Sequence, residues 1–108
     1  MGSASARLIR ELQDFRRRVE GPYPVQELVL FGSRARGRAR KDSDVDLIVV
    51  SPKFRRRSYM RRASTMYALW DLDYAVDFLC YTPEEFRELS RRPSIVQVAL
   101  REGVSIPP

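Results

Sequence analysis

Three aspartates are the side chains best placed to do chemistry in this chain, because of where they lie against its apolar runs. Asp44 and Asp46 stand two apart at the head of the run Val45 to Val50. On an extended strand both side chains leave the same face, with Cα atoms about 6.5 to 7 Å apart. Two carboxylates this close repel each other, and a divalent cation relieves the repulsion. Oxygen donors suit magnesium or manganese, and carboxylates can bridge an ion pair about 3.5 to 4 Å apart. Asp77 lies inside another apolar run, Ala75 to Leu79, where an unpaired charge is expected to require a partner. Each has a plainer reading: an isolated Asp-x-Asp before a strand is commonly turn and cap chemistry, and a lone strand carboxylate commonly sits at an edge or beside arginine. Asp73 rivals Asp77, but its place ahead of the strand favours a turn.

A second group of residues suits phosphate. Phe31-Gly32-Ser33 closes an earlier apolar run and precedes Arg34-Ala35-Arg36-Gly37-Arg38, which can open with a helical turn. At such a junction glycine lets a phosphate approach the backbone, and the Ser33 hydroxyl with the following N–H groups can bind it. Arg34, Arg36 or Lys41 could neutralise its charge, and the sequence does not choose among them. Gly-Ser alone is a weak signal, and neither a Walker loop nor Gly-x-Gly-x-x-Gly is present. The spacing carries the information: ten residues separate Ser33 from Asp44.

Composition narrows what these residues can do. The chain contains no histidine, which removes histidine-based nucleophile activation, histidine acid–base chemistry and the usual Cys/His zinc sites. Catalysis must run on carboxylates, hydroxyls, arginine and a borrowed metal. At 108 residues one domain spanning 1–108 is expected, and 44% hydrophobic residues are enough for a core. The net charge of +6 is concentrated, since eleven basic residues and three aspartates fall between Ser33 and Arg62. Such a field attracts a nucleotide, nucleic acid or an acidic protein. Arg16-Arg17-Arg18 and Arg55-Arg56-Arg57 are expected to be mainly solubilising or partner-facing. No apolar run approaches the roughly 18 to 20 residues that span a bilayer. The lack of an apolar leader in Met1 to Arg10 and the single cysteine, Cys80, point to the cytoplasm.

The elements that must position these groups are legible in the periodicity. Helical spacing of Leu8, Ile9, Leu12, Phe15 and Val19 predicts a helix over 6–19, stopped by Gly21, Pro22 and Pro24. Glu27 to Phe31 and Val45 to Val50 read as buried strands flanking the arginine-rich connection, and Tyr74 to Tyr81 as a third strand. A helix is expected between Tyr59 and Trp70. Thr82-Pro83-Glu84-Glu85 has the form of a capping box, starting a helix that runs to about Arg92. Another follows from Ser94 to a stop at Gly103, and Val104 to Ile106 can add a short strand. The expected class is α/β (α+β), a small mixed sheet with helices packed on it. Tyr59, Tyr67, Trp70, Tyr74 and Tyr81 are read as core aromatics before base-stacking ones, and Cys80 as a buried apolar residue.

Gly32-Ser33, ten residues, Asp44-Val45-Asp46 and the later Asp77 together resemble the signature of the DNA polymerase beta-like nucleotidyltransferases, and the chain looks like their minimal, single-domain members. The closing Arg101-Glu102-Gly103-Val104 is similar to the end of such domains. The resemblance implies that Gly32 and Ser33 hold the terminal phosphates, that Asp44 and Asp46 bind two magnesium ions, and that Asp77 binds the catalytic metal and helps deprotonate the attacking hydroxyl. It further implies ATP as the substrate and a helical HEPN-type toxin as partner, with a tyrosine of that partner as acceptor and this chain as the antitoxin, in a hetero-oligomer or homodimer. Two other readings are a non-catalytic neutralising scaffold with the same fold and a nucleic-acid-binding protein using the Ser33 to Arg62 field.

Overall fold

The computed structural model describes residues 4–108. Helix α1 (Ala6–Glu20) begins at Ser5, whose hydroxyl accepts from the Leu8 N–H, and buries Leu8, Leu12, Phe15 and Val19 as one stripe. Strands β1 (Glu27–Phe31) and β2 (Val45–Val50) form an antiparallel pair. A short 3-10 turn, Pro52–Phe54, follows β2 and buries Phe54; the periodicity did not predict it, because a single turn has no period to read. Helix α2 (Tyr59–Leu69) then leads to β3 (Val76–Tyr81), which lies parallel to β2. Helices α3 (Pro83–Ser90) and α4 (Ile95–Glu102) and the two-residue strand β4 (Val104–Ser105) complete the chain.

The result is the expected mixed sheet, in the order β3-β2-β1-β4. Its strands alternate between two apolar layers. Leu28, Leu30, Val45, Leu47, Val49, Phe78 and Cys80 meet α1 and α2 on one face. Val29, Phe31, Ile48, Val50, Leu79 and Tyr81 meet α3 and α4 on the other. No helix among the described residues is long and apolar enough to cross a membrane.

Three details differ from the sequence expectation. Tyr74 precedes β3 rather than joining it, because its carbonyl accepts from the Trp70 indole and its hydroxyl donates to Glu11, 2.9 Å away. Helix α3 stops at Ser90, two residues early, as a turn through Arg91 and Arg92 leads to the next cap at Ser94. Arg16 is a tie, not a solvated charge: it donates to the carbonyls of Ile106 (2.6 Å) and Val25 (2.9 Å), fastening the C-terminus to α1.

The capping box at Thr82 is present in full, the Thr82 hydroxyl accepting from the Glu85 N–H and the Glu85 carboxylate from the Thr82 N–H. Thr82→Ala removes half of it at a buried position. We expect a loss of about 1 kcal/mol, read as a shift in the urea midpoint with unchanged m.

Candidate active site

The antiparallel register explains the spacing found in the sequence. Phe31 at the end of β1 pairs with Asp46 near the start of β2, so the chain must leave β1, turn, and return beside its own exit point. Gly32 makes that exit at φ +76°, a backbone conformation that side chains disfavour. A Cβ there would lie 2.3 Å from Asp46 Oδ2, so glycine is required twice over and the turn touches the carboxylate directly. After it the chain makes a helical turn, with the N–H groups of Ala35 and Arg36 donating to the Gly32 carbonyl and that of Arg38 to the Ser33 carbonyl.

The parallel pairing of β3 brings in the third carboxylate. Asp46 and Asp77 are register partners, and alternation puts them on the face that carries Ile48, Val50, Leu79 and Tyr81. Helices α3 and α4 bury that face further along, but at this end Asp46 is only half-buried and Asp77 is exposed. The expectation that Asp77 bears a burial penalty is therefore corrected: β3 is an edge strand and its head is open to water. Asp44 precedes β2 and is exposed, two residues from Asp46 on the same side. Asp73 lies exposed in the bend before β3 and not on the strand.

These carboxylates feel one another. Asp46 is pushed above the ordinary carboxylate range first by burial, then by the negative charges of Asp77 and Asp44. Among the described residues no arginine or lysine forms an ion pair with any of the three. Nor do three acidic, histidine or cysteine side chains gather closely enough to enclose an ion. The site is an open group of hard oxygen donors with uncompensated negative charge, and in that state mutual repulsion opposes closer approach. The donor chemistry fits magnesium or manganese.

The arginines of the turn are engaged in holding it. Arg34 donates through Nε to the Ser43 carbonyl (2.9 Å) and through Nη2 to that of Lys41 (3.3 Å). Its guanidinium also lies 4.8 Å from the centroid of Tyr74. Arg34 thus staples the far end of the connection to its beginning, a role that sequence alone did not suggest. Arg36 is exposed and pairs with Glu102 at 3.1 Å. Ser33 is half-buried between Gly32 and this turn. Among the aromatics, Trp70 and Tyr74 pack against the main core as expected, while Tyr59 and Tyr67 are exposed. Cys80 is buried, and burial pushes its thiol up to about 12, so it is chemically quiet.

Comparison with known proteins shows the family of the chain. The family model described as nucleotidyltransferase domain matches residues 10–106. A protein of Haemophilus influenzae named for protein adenylyltransferase activity, MntA, is 38% identical over 71 residues, which are 61% of this chain and 60% of that protein. The chain thus spans well under two thirds of that relative in the match. A crystal structure of a nucleotidyltransferase from Sulfolobus solfataricus shares the fold with a TM-score of 0.65 and 20% identity, over 92% of this chain and 78% of that one. The turn that touches a carboxylate, the paired strand aspartates and the match over nearly the whole length lead to one conclusion: this chain belongs to the nucleotidyltransferase domain family, the enzyme class that its glycine-serine turn and aspartates resemble.

Proposed function

We propose that residues 1–108 form one minimal domain that transfers a nucleoside monophosphate, AMP from ATP, to a hydroxyl on a protein. The observation that carries this reading is the contact between Gly32 and the Asp46 carboxylate, which joins a phosphate-type turn to the group of acidic donors. In the proposed arrangement Gly32 and Ser33 hold the terminal phosphates, and Asp44, Asp46 and Asp77 hold two magnesium ions. When bound, magnesium neutralises triphosphate charge and favours ionisation of the acceptor hydroxyl. The acceptor oxygen attacks the α-phosphorus, the bond to the bridging oxygen breaks, pyrophosphate leaves, and the hydroxyl proton passes to Asp77 and then to water. Arg36 can contribute to phosphate binding by exchanging its exposed partner Glu102, whereas Arg34 keeps the turn in shape.

The proposed acceptor is a tyrosine of a helical HEPN-type toxin, which makes this chain the antitoxin of a pair acting in the cytoplasm. Support comes from the similarity to a relative named for protein adenylyltransferase activity. The test is transfer from α-labelled but not γ-labelled ATP, with magnesium, into the co-purified partner. Label from the α-position alone is the expected result; no transfer by a chain that binds magnesium-ATP overturns the reading. A neutralising scaffold with the same fold is the second reading. It predicts full protection from toxin by a variant lacking both Asp44 and Asp46.

Gly32→Ala tests the contact directly. The added methyl displaces the Asp46 carboxylate and strains a positive φ, so stability should fall by about 1 to 2 kcal/mol. Transfer should fall by about 100-fold, because misplacing a reacting group by an ångström costs that much. Steady-state kinetics beside a thermal melt measures both.

A further inference from the structure

The fold divides the basic field between Ser33 and Arg62 into two groups. Arg34, Arg36, Arg38, Arg40 and Lys41 belong to the connection that enters β2 at the carboxylate end. Lys53, Arg55, Arg56, Arg57, Arg61 and Arg62 come after that strand has crossed the sheet. Five residues of extended chain separate Asp46 from Ser51, about 17 Å, so the second group lies away from the carboxylates. The sequence holds no acidic residue between Asp46 and Asp71 to balance it.

Two of these arginines are engaged with the fold. Arg55 donates to both oxygens of Glu84, and Arg62 to both oxygens of Glu85. Arg56, Arg57 and Arg61 are exposed and form no ion pair among the described residues. With Arg55 and Ser58 they line an open recess of about 500 Å³, to which no acidic and no apolar residue contributes. The Arg57 guanidinium lies 5.6 Å from the centroid of Tyr23, whose ring packs against buried Phe54, so the recess has one wall fixed to the core.

Arg56 adds a backbone observation. Its φ is +65°, the one positive value at a non-glycine position among the described residues. The turn around it is held by the N–H groups of Arg55 and Arg57, which donate to the carbonyls of Pro52 and Phe54. Glycine would adopt this conformation without strain, yet the position carries a long charged side chain with no ionic partner in the fold.

We propose that the loop from Arg55 to Arg61 is a second anion site, one that binds the phosphodiester backbone of a polynucleotide without magnesium and independently of the aspartates. Guanidinium groups grip phosphate oxygens in pairs. Protein interfaces are built on an apolar centre, which this recess lacks, whereas nucleic-acid interfaces are polar and strongly positive. Cations this exposed gain most from a long polyanion, because each phosphate neutralised releases counterions.

The test is fluorescence polarisation of the full chain with a labelled single-stranded RNA of about 20 nucleotides, in EDTA, between about 50 and 200 mM salt. The logarithm of affinity should fall linearly with that of salt, with a slope of about −2 for three phosphates neutralised. Arg56→Gly combined with Arg61→Gln should bring the slope to about −0.7, while the melting curve and magnesium-ATP binding stay as in the wild type. Arg38→Gln with Arg40→Gln, at the other end of β2, should leave the wild-type slope. Single-stranded DNA and duplex DNA run as parallel arms, and the same dependence on Arg56 and Arg61 in whichever arm binds upholds the site and names its polynucleotide. Absence of binding in every arm, a slope that the loop variant retains, or one lost in the Arg38 and Arg40 variant overturns the proposal. So does a loop variant that melts well below wild type, which would make these arginines part of the fold. Competition by polyglutamate as strong as that by RNA of equal charge would assign the surface to an acidic protein instead, and also overturns it.

Discussion

Asp46→Asn should reduce nucleotidyl transfer by more than about 1,000-fold and at the same time leave the ligand-free protein no less stable than wild type. The two effects have one origin. Asp46 is half-buried and sits with Asp77 and Asp44, so its anion is disfavoured in the fold and its pKa is raised above 3.8. The native state then binds the Asp46 proton more tightly than the unfolded chain does. Stability from this group is therefore present at acid pH and is lost as pH rises through the elevated pKa, so at neutral pH the ionised carboxylate destabilises the fold. Asparagine keeps the size and removes the charge. What it forfeits is the negative charge that attracts the cation, and the bound cation is what offsets the repulsion. Melting curves with and without magnesium-ATP should show a large ligand-induced rise for the wild type and little for the variant, whose curve without ligand should lie at or above that of wild type. A variant melting well below wild type, or one that transfers label normally, would show that Asp46 serves the fold and not the reaction.

Arg62→Met should be the most destabilising change of a charged residue, by about 3 kcal/mol, or roughly 15 °C in Tm for a domain of this size. Arg62 is 7% exposed. Its guanidinium donates to the carbonyls of Arg57 (3.1 Å) and Cys80 (3.2 Å) and forms a fork with Glu85, so one side chain joins the entry of α2, the edge of β3 and the capping box of α3. Methionine preserves much of the volume, and what is lost is the hydrogen bonding. Glu85 would be left without its cation and the Cys80 carbonyl without its donor. The pH dependence follows from Glu85, whose carboxyl is held below the ordinary range chiefly by the hydrogen bond from Arg62. Its contribution is present above about pH 4.5 and is lost as pH falls through the depressed value. The wild type should therefore lose more stability on acidification below pH 4.5 than Arg62→Met does, and denaturant titrations at pH 7 and pH 3.5 measure the difference. Equal losses in the two proteins would remove Arg62 from this role.

Much of this molecule was legible in its residues because the governing interactions are local or periodic. Short, nearly continuous apolar runs located β1 and β2 to the residue, and Thr82 to Glu85 announced a capping box that the structure contains, whereas the Ser5 and Ser94 caps were seen only in the structure. The absence of histidine limited the chemistry before any fold was considered. Gly32-Ser33, Asp44, Asp46 and the later Asp77 were recognisable as a set because their spacing resembles a known family signature, and the ten residues from Ser33 to Asp44 are the length of one turn and return.

Only the tertiary structure decided the environment of those groups. The lone carboxylate of Asp77 left an edge strand, an arginine partner and a metal all open, and only the strand order decided for the edge, which is why Asp77 is exposed instead of burdened by burial. The partners of arginine are equally nonlocal: Arg16 reaches Ile106, Arg36 reaches Glu102 and Arg62 reaches Glu85, so a run that reads as a basic field is partly spent inside the fold. A strand's period of two tells which residues share a face. Which strands become neighbours, and which end of a face the helices leave uncovered, depends on packing between segments far apart in the chain, and it was that packing which brought Asp77 beside Asp46 and left that end of the face open.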